Sequence, residues 1–477
     1  VNNMGEQEIT KCRIDMILKL IRMYDWLLDL YVLDFFVDNH WDKLPSNWRK
    51  SFQSVDPQKL GAIMCEKPTN HVFPLSFLAL IQTVKAISIP RQSCLDSDSV
   101  RSDSLMYKCG SHPKLRNLFV KHVKVKKRHE IGLMAEVVNN AASECGCNAV
   151  IDFGSGLGHL VRMLGYKYDL YAAGIECQPK LTEEARKLDL ELEYTANKHL
   201  SLSLMSELHR PIHFNMTLSS QEQLLDLPLP ETMQKFGLIG LHPCGDLGPL
   251  LLNHFVYNNK VKFICLVGCC FMKLTCKGYP MSEYVKGLDS HLSYVSREIA
   301  CHAIETYRDR LATGKYEDLK VHAYRAALES MLIKISPSLK HAPIRSIKHT
   351  DTMTFDRYCS LALEKLCIPL PTSPEVWALG ESQLSQWHRV VTVYTLRLTL
   401  APLVESLILL DRNLRCGDHD FMQTTKPSQL RNSITLSFQN LTYFFLFRVF
   451  QLFSILNVTL YISFGPISEN CCLLIIQ

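Results

Sequence analysis

Residues 149–160 of the chain read AVIDFGSGLGHL, and this stretch predicts the fold. An apolar run contains Asp152 near its end, and glycines follow at alternate positions, Gly154, Gly156 and Gly158. Apolar residues then recur at helical spacing, so the pattern predicts a strand, a tight turn and a helix. Glycine suits the turn because it tolerates positive φ and presents no side chain to an approaching ligand. The helix N-terminus would offer free N–H groups to an anionic group.

The spacing of the glycines indicates which ligand the turn binds. A dinucleotide-binding turn has the pattern G-x-G-x-x-G, whereas here the third glycine comes one residue early and His159 stands where that pattern needs glycine. An acid just before a G-x-G-x-G turn is typical of class I methyltransferases that use S-adenosylmethionine (AdoMet). The residues predicted to bind this cofactor in the turn are Asp152, Gly154, Ser155, Gly156 and Gly158. An ordinary strand–helix turn without a ligand is the alternative.

A second acid, Glu176, ends the next predicted strand, residues 171–176. It follows Gly158 by 18 residues. Nucleotide-binding α/β folds place an acid near this point, where ribose hydroxyls donate hydrogen bonds to it. A lone glutamate at a strand end is usually just solvated. Behind this glycine turn, Glu176 is predicted to bind the cofactor ribose.

Length, charge and cysteine content bound the class of protein. The chain has 477 residues, which is enough for two or three domains, and a net charge of +5. So mild a charge neither requires nor excludes a polyanionic partner. The 18 cysteines are scattered and form no C-x-x-C pair, which disfavours a zinc finger and predicts reduced thiols. We therefore expect an intracellular protein of the cytoplasm or nucleus.

The chain divides into four predicted regions. Apolar residues recur at three- and four-residue steps within residues 9–39 and 75–87, as in helices. Residues 91–110 are rich in serine and aspartate, as in a linker. The predicted regions are an N-terminal helical region at 1–90, a linker at 91–118, an α/β domain with helical insertions and C-terminal helical additions at 119–414, and a hydrophobic tail at 415–477.

The hydrophobic tail has an unusual composition. Residues 421–477 contain only four charged side chains, and residues 441–464 are long enough to span a bilayer, which takes about 20 mostly apolar residues. Arg448 lies within that segment and counts against insertion. The sequence therefore predicts an alternative terminus, with a membrane-anchored form as the other interpretation.

Two further predicted strands open onto chemically active residues. Residues 236–241 lead into HPCGD at 242–246, and residues 261–267 lead into GCCFMK at 268–273. In open α/β sheets ligands bind beyond the carboxyl ends of the strands. These two segments, with the glycine turn, therefore predict the site, and Cys269 and Cys270 are predicted to contact the acceptor.

A metal site is the competing interpretation of these segments. Soft ligands gather within 35 residues, namely His242, Cys244, Cys265, Cys269, Cys270 and Cys276. Structural zinc needs four ligands in a tetrahedron, and their spacing fits no usual finger. Neighbouring residues of a strand point to opposite faces, so Cys269 and Cys270 are expected to point apart. The sequence predicts buried thiols and no metal.

A basic run precedes the glycine turn. Five of the eight residues 121–128 are lysine or arginine. Such a run predicts contacts to the phosphates of an RNA acceptor, which position a nucleic acid without reading its bases. The residues predicted to bind it are Lys126, Lys127 and Arg128. A solvated helix start is the alternative.

Four segments together resemble one known family. They are KKRHEI at 126–131, DFGSGLGHL at 152–160, GLHPCGDL at 240–247 and GCCFMKL at 268–274. They resemble the methyltransferase-like protein 25 family, and most closely its 25B branch, which is labelled as containing a ribosomal RNA adenine dimethylase domain. The resemblance continues through residues 297–310, 324–329 and 400–412, and it covers residues 10–414.

The resemblance implies an α/β, Rossmann-like class I methyltransferase fold that binds AdoMet. Enzymes that methylate an exocyclic adenine nitrogen carry an Asn/Asp-Pro-Pro-aromatic motif, where this chain has HPCG at 242–245. That segment is more similar to a family of tRNA ribose 2′-O-methyltransferases. A hydroxyl acceptor needs a general base, and His242 and Asp246 are the candidate catalytic residues. The alternative is that His242 only forms a hydrogen bond at a strand end. The protein would then be a catalytically degenerate methyltransferase fold that acts as a scaffold.

Overall fold

The structure is a computed structural model that divides into two compact units. It describes residues 5–90, 113–199, 209–301, 304–314, 317–344, 347, 353–364, 366–423 and 472–476. One unit comprises Val1–Asp15, Ile89–His291 and Ser406–Gln477, and the other comprises Met16–Ser88 and Leu292–Glu405. The predicted membrane segment at 441–464 and most of the predicted linker lie outside the described residues. The boundaries of the four predicted regions stay a prediction.

The first unit is built on a parallel sheet. Its strands are β1 (Ala149–Phe153), β2 (Tyr171–Glu176), β3 (Ile212–Asn215), β4 (Phe236–Leu241), β5 (Val261–Val267) and β6 (Cys472–Ile476). Their order is β3-β2-β1-β4-β5-β6, and every neighbouring pair is parallel. Strands β1, β4 and β5 are almost wholly buried, as expected for a parallel sheet covered on both faces. The predicted α/β, Rossmann-like fold is confirmed.

Helices of the first unit cover this sheet. They are Pro113–Phe119, Val125–Glu144, His159–Tyr168, Pro179–His199, Gln221–Leu225, Leu247–Tyr257 and Glu283–Lys286. Apolar side chains of Val125–Glu144 and His159–Tyr168 share one core with those of β1, β4 and β5. The chain runs from β1 to β2 and β3 on one side and to β4 and β5 on the other. Sheets with such a reversal bind ligands beyond the carboxyl ends of the strands that flank it, here β1 and β4.

The second unit is helical in its described part. Its helices are Asp25–Leu28, Ser46–Phe52, Pro57–Met64, Leu75–Ile87, Tyr294–Ile299, Ile304–Ala312, Val321–Ile335, Phe355–Glu364, Pro374–Leu384 and Trp387–Leu398. Trp48 is buried, and its ring packs edge-on against Phe77 with centroids 5.5 Å apart. Its indole N–H donates to the Ser76 hydroxyl at 2.8 Å. Trp48 therefore serves the core through both its ring and its polar atom.

The apolar helical stretch around Pro402 is divided in two. Trp387–Leu398 ends before Ala401–Gln423 begins, so Pro402 lies in the first turn of the second helix, where its missing N–H costs no hydrogen bond. Together with Glu6–Met23, this helix completes the described α-helices. By length and composition alone, the stretch Trp387–Gly417 could span a membrane, but 94% of its apolar window is buried within the protein. It therefore has the character of core helices.

Two residues of Ala401–Gln423 fix the segment that follows β5. The Asp411 carboxylate is fully buried and accepts hydrogen bonds from the backbone N–H of Met281 at 2.7 Å and of Ser282 at 2.9 Å. The Ser282 hydroxyl also donates to it at 2.7 Å. The neighbouring Arg412 guanidinium lies 5.5 Å from the ring centroid of Phe271. The buried Asp411 carboxylate therefore fixes the loop beyond β5 through its hydrogen bonds.

Candidate cofactor and acceptor site

The glycine turn after β1 needs its glycines for two different reasons. Gly154, Gly156 and Gly158 have φ of +77°, +55° and +68°, a left-handed conformation that other residues adopt only with strain. A Cβ atom at Gly158 would also lie 2.5 Å from Cε1 of His213, so this position tolerates no side chain. At Gly154 and Gly156 a Cβ would meet no heavy atom within 4 Å. The backbone there faces open space, as a ligand cradle does.

A buried carboxylate lies beside this open space. Asp152 in β1 is 2% exposed, and its Oδ1 atom is buried without a hydrogen-bond partner. Burial raises the pKa of Asp152 to about 7, which the charge of Lys127 opposes and that of Glu176 reinforces. Buried polar atoms are normally paired, and an exception needs an explanation. A cationic ligand group at the turn would supply the missing partner.

Glu176 connects the turn to the end of β2. One oxygen of its buried carboxylate accepts the N–H of Gly156 at 3.0 Å, and the other accepts the N–H of Gln178 at 2.9 Å. Glu176, which the sequence predicts to bind the cofactor ribose, therefore lies at the glycine turn. A carboxylate offers about four acceptor sites. The Cys177 thiol, 3.4 Å from Glu176, takes a third site, so ribose hydroxyls would use the remaining site and displace this weak donor.

A buried ion-pair network supports the glycine turn. Arg162 is 1% exposed, and its guanidinium donates to the Asp189 carboxylate. It also donates to the backbone carbonyls of Leu157 at 3.2 Å and Ala185 at 3.1 Å. His213 lies 2.7 Å from the other oxygen of Asp189. Sequence reasoning missed this network; the available signal was an arginine among the apolar residues of His159–Tyr168.

His159, which replaces glycine in the dinucleotide pattern, belongs to this support. Its Nδ1 atom lies 3.1 Å from Nη1 of Arg162, and the residue is buried. Burial, and next the charge of Arg162, lower the pKa of His159 to about 4. His159 is therefore neutral at physiological pH and accepts a hydrogen bond from the arginine.

A histidine–glutamate pair lies beyond β4. His242 has a left-handed φ of +72°, and its Nε2 atom is 3.2 Å from Oε2 of Glu130 in the helix Val125–Glu144. The hydrogen bond with His242 lowers the pKa of Glu130 to about 2; burial opposes this effect and Lys127 reinforces it. A carboxylate acceptor places the imidazole proton on Nε2. The Nδ1 atom, buried without a partner, then carries a free lone pair.

Asp246 is the other predicted catalytic residue, and its catalytic role stays a prediction. Its carboxylate accepts the backbone N–H of Thr275 at 2.9 Å and the hydroxyl of the same residue. In the described part of the chain, no hydrogen bond joins Asp246 to His242. Asp246 therefore ties the loop after β4 to the loop after β5.

Three cysteines meet between these two loops. The Sγ atom of Cys244 lies 3.6 Å from that of Cys269 and 3.3 Å from that of Cys270, and the last two are 3.3 Å apart. The expectation that Cys269 and Cys270 point apart is wrong. Strand alternation does not apply to them because β5 ends at Val267 and both lie in the turn that follows.

The basic run is partly neutralised. Lys121 lies 2.6 Å from a carboxylate oxygen of Glu191, and Arg128 donates to the backbone carbonyl of Val123 at 2.7 Å. Lys127 lies 3.3 Å from Glu130. Lys126 lies 3.8 Å from the other oxygen of Glu130 with its side chain 76% exposed, and Lys124 is exposed. The five-charge patch predicted from the sequence is therefore smaller in the structure.

Comparisons with known proteins match the part of the chain that carries this site. Residues 126–277, which include every predicted site residue, match a family model described as a methyltransferase domain. The chain is 27% identical over 230 residues to "Probable methyltransferase-like protein 25" of Homo sapiens, which is 45% of this chain and 37% of that protein. The Mus musculus protein of that name is 28% identical over 248 residues, which is 48% of this chain and 39% of that protein. No solved structure matches the chain.

The matched segments span less than two fifths of the length of these curated relatives. The predicted resemblance to methyltransferase-like protein 25 is confirmed. The closer likeness to the 25B branch stays a prediction.

Proposed function

We propose that this chain is an AdoMet-dependent methyltransferase that binds its cofactor at the carboxyl end of β1. The observation that carries the proposal is the open backbone at Gly154 and Gly156 beside the buried, unpartnered carboxylate of Asp152. AdoMet carries positive charge on its sulfonium and ammonium groups, which such a carboxylate complements. Glu176 would accept the ribose hydroxyls. The cofactor would supply a methyl group on a cationic sulfur.

The acceptor chemistry belongs to His242 and Glu130. With its proton on Nε2, His242 would remove a proton from a hydroxyl or N–H group through Nδ1, which the acceptor would reach by displacing the atoms that cover it. The Glu130 carboxylate would stabilise the resulting positive imidazole, as the acid of a catalytic triad does. The strained backbone of His242 supports this role, because strained residues cluster at functional sites.

We favour RNA as the acceptor. Lys124 is the N-cap of the helix that carries Lys126 and Glu130, and the Lys126 side chain is 76% exposed. Phosphates bound there would lie one or two helical turns from the Glu130–His242 pair. Exposed lysines at a helix N-terminus can position a nucleic-acid backbone without reading its sequence.

The acceptor class can be tested by labelling. The full-length protein would be incubated with tritiated AdoMet and an extract of cells that lack it, and RNA, protein and small molecules would be separated. We expect the label in RNA. Label in protein alone would reject the RNA acceptor, and cofactor binding without label in any fraction would favour a scaffold protein.

Reversing two exposed charges is expected to weaken RNA methylation. In the variant Lys124→Glu with Lys126→Glu, loss of two phosphate contacts should lower the salt dependence of RNA binding by about two units of slope. AdoMet affinity should be unchanged. The matched control is Lys187→Glu with Lys198→Glu, two exposed lysines of Pro179–His199. Equal RNA affinity of both variants would contradict the basic-patch proposal.

AdoMet affinity is expected to rise with pH up to about 7. Because the pKa of Asp152 is raised to about 7, this carboxyl group is mostly protonated below that pH. A cation favours its ionised form, so binding must then release a proton. Affinity should fall up to about tenfold for each pH unit below 7, as titrations between pH 5.5 and 8.5 would show. Asp152→Asn should flatten the profile, and a pH dependence that survives this change would contradict the assignment.

A further inference from the structure

We propose that Cys244, Cys269 and Cys270 form a binding site for one zinc ion. These residues, here called the three-thiol cluster, place three sulfur atoms within 3.3–3.6 Å of one another. Zinc–thiolate bonds of 2.3 Å in a tetrahedron put the sulfur atoms about 3.8 Å apart. Each sulfur therefore needs to move outward by only a few tenths of an ångström to bind the ion.

The backbone that carries the three-thiol cluster is well supported. Asp246 bonds Thr275 and thereby joins the loop that carries Cys244 to the loop that carries the other two cysteines. Phe271, which follows Cys270, is buried against Arg412. A pre-arranged set of ligands loses little conformational entropy when the metal binds.

The ligand chemistry selects the metal. The three ligands are all sulfur, with no carboxylate or imidazole in the group. Thiolates favour zinc and Cu(I) over magnesium, calcium and manganese. Zinc is the ion that combines three protein ligands with an exchangeable fourth position at catalytic sites. Cys244 is exposed, so solvent or a substrate group can reach that position.

Zinc binding competes with protonation of the three thiols. Three thiols that bind one Zn²⁺ ion as thiolates release three protons. Zinc affinity should therefore fall as the pH is lowered.

A disulfide is the competing use of these cysteines. It needs only two sulfur atoms and would leave the third without a function. Three thiols in mutual contact instead match one face of a metal tetrahedron, and this favours the zinc site.

The test is zinc stoichiometry and affinity of the full-length protein. After purification under reducing conditions without chelator, the protein would be loaded with Zn²⁺, desalted and measured by mass spectrometry of the metal. We expect one zinc per chain. Cys244→Ser and Cys269→Ser should each weaken zinc binding, measured by chelator competition, by more than the roughly 10- to 100-fold that loss of an outer-shell partner costs. Cys276→Ser, an exposed cysteine of the same loop, is the matched control.

Cobalt provides a readout of the ligands themselves. The Co²⁺-loaded protein should show thiolate charge-transfer absorption that weakens in the two cluster variants and persists in Cys276→Ser. Folded, reduced protein that retains no zinc would overturn the proposal, as would equal zinc affinity in all variants. A Cys244–Cys270 disulfide in the purified protein, with no zinc bound after its reduction, would assign the cluster to redox chemistry instead. AdoMet binding, measured on the same samples, keeps the cofactor proposal separate from this result.

Discussion

Replacing His242 with asparagine is expected to slow methyl transfer by roughly 100- to 10,000-fold, the usual contribution of a general base. Asparagine tolerates the left-handed backbone that His242 adopts, so the loop should keep its conformation. The change removes the Nδ1 lone pair and the charge that Glu130 would stabilise. AdoMet affinity should stay the same, because the cofactor contacts come from the turn after β1.

The control for this variant is His122→Asn, since His122 is an exposed histidine that also has a positive φ, of +61°. Its transfer rate should equal that of the unmodified protein. Glu130→Gln retains a polar side chain beside His242 and should give a smaller loss than His242→Asn. Unchanged single-turnover rates in His242→Asn would remove the base from the proposed mechanism.

Replacing Arg162 with methionine is expected to destabilise the protein by about 3–5 kcal/mol, the usual effect of removing one partner of a buried ion pair. Asp189 would remain buried with only His213 as a partner, and the Leu157 carbonyl would lose its donor. Chemical unfolding followed by circular dichroism would measure the loss. Because Leu157 belongs to the glycine turn, AdoMet binding should weaken in the same variant.

The matched control is Lys187→Met in the helix Pro179–His199. Lys187 pairs with Glu183 at 3.2 Å, but both side chains are mostly exposed, and such surface pairs contribute about 0–1 kcal/mol. A double-mutant cycle with Asp189→Asn would isolate the coupling between Arg162 and Asp189. A loss of stability no larger than that of the control would show that the buried network does not support the turn.

Local patterns were enough to predict the parts of the fold that depend on neighbours in sequence. The predicted bounds of β4 and β5 match those of the structure, because buried parallel strands are short apolar runs between turn residues. The glycine turn was equally accessible, since each of its glycines adopts the positive φ for which glycine is used.

The remaining features depend on contacts between distant parts of the chain. Glu130 and His242 are 112 residues apart, and Lys121 meets Glu191 across 70 residues. Neither pair follows a sequence period that could be detected. Counting charges in the sequence therefore overestimated the free basic patch, and no sequence pattern identified Glu130 as the partner of His242. The cysteines show a different reason: the alternation rule holds only within a strand, and β5 ends before Cys269.

Calorimetry of the full-length protein with AdoMet tests the proposed function most directly. We predict saturable binding at one site. Glu176→Ala should weaken it at least about 100-fold, because hydrogen bonds to a charged group contribute about 1.5–3 kcal/mol each and two ribose hydroxyls lose their acceptor. Glu183→Ala, at an exposed glutamate of the following helix, should bind normally. No binding by a protein with a folded circular dichroism spectrum, or unchanged affinity in Glu176→Ala, would contradict the cofactor site.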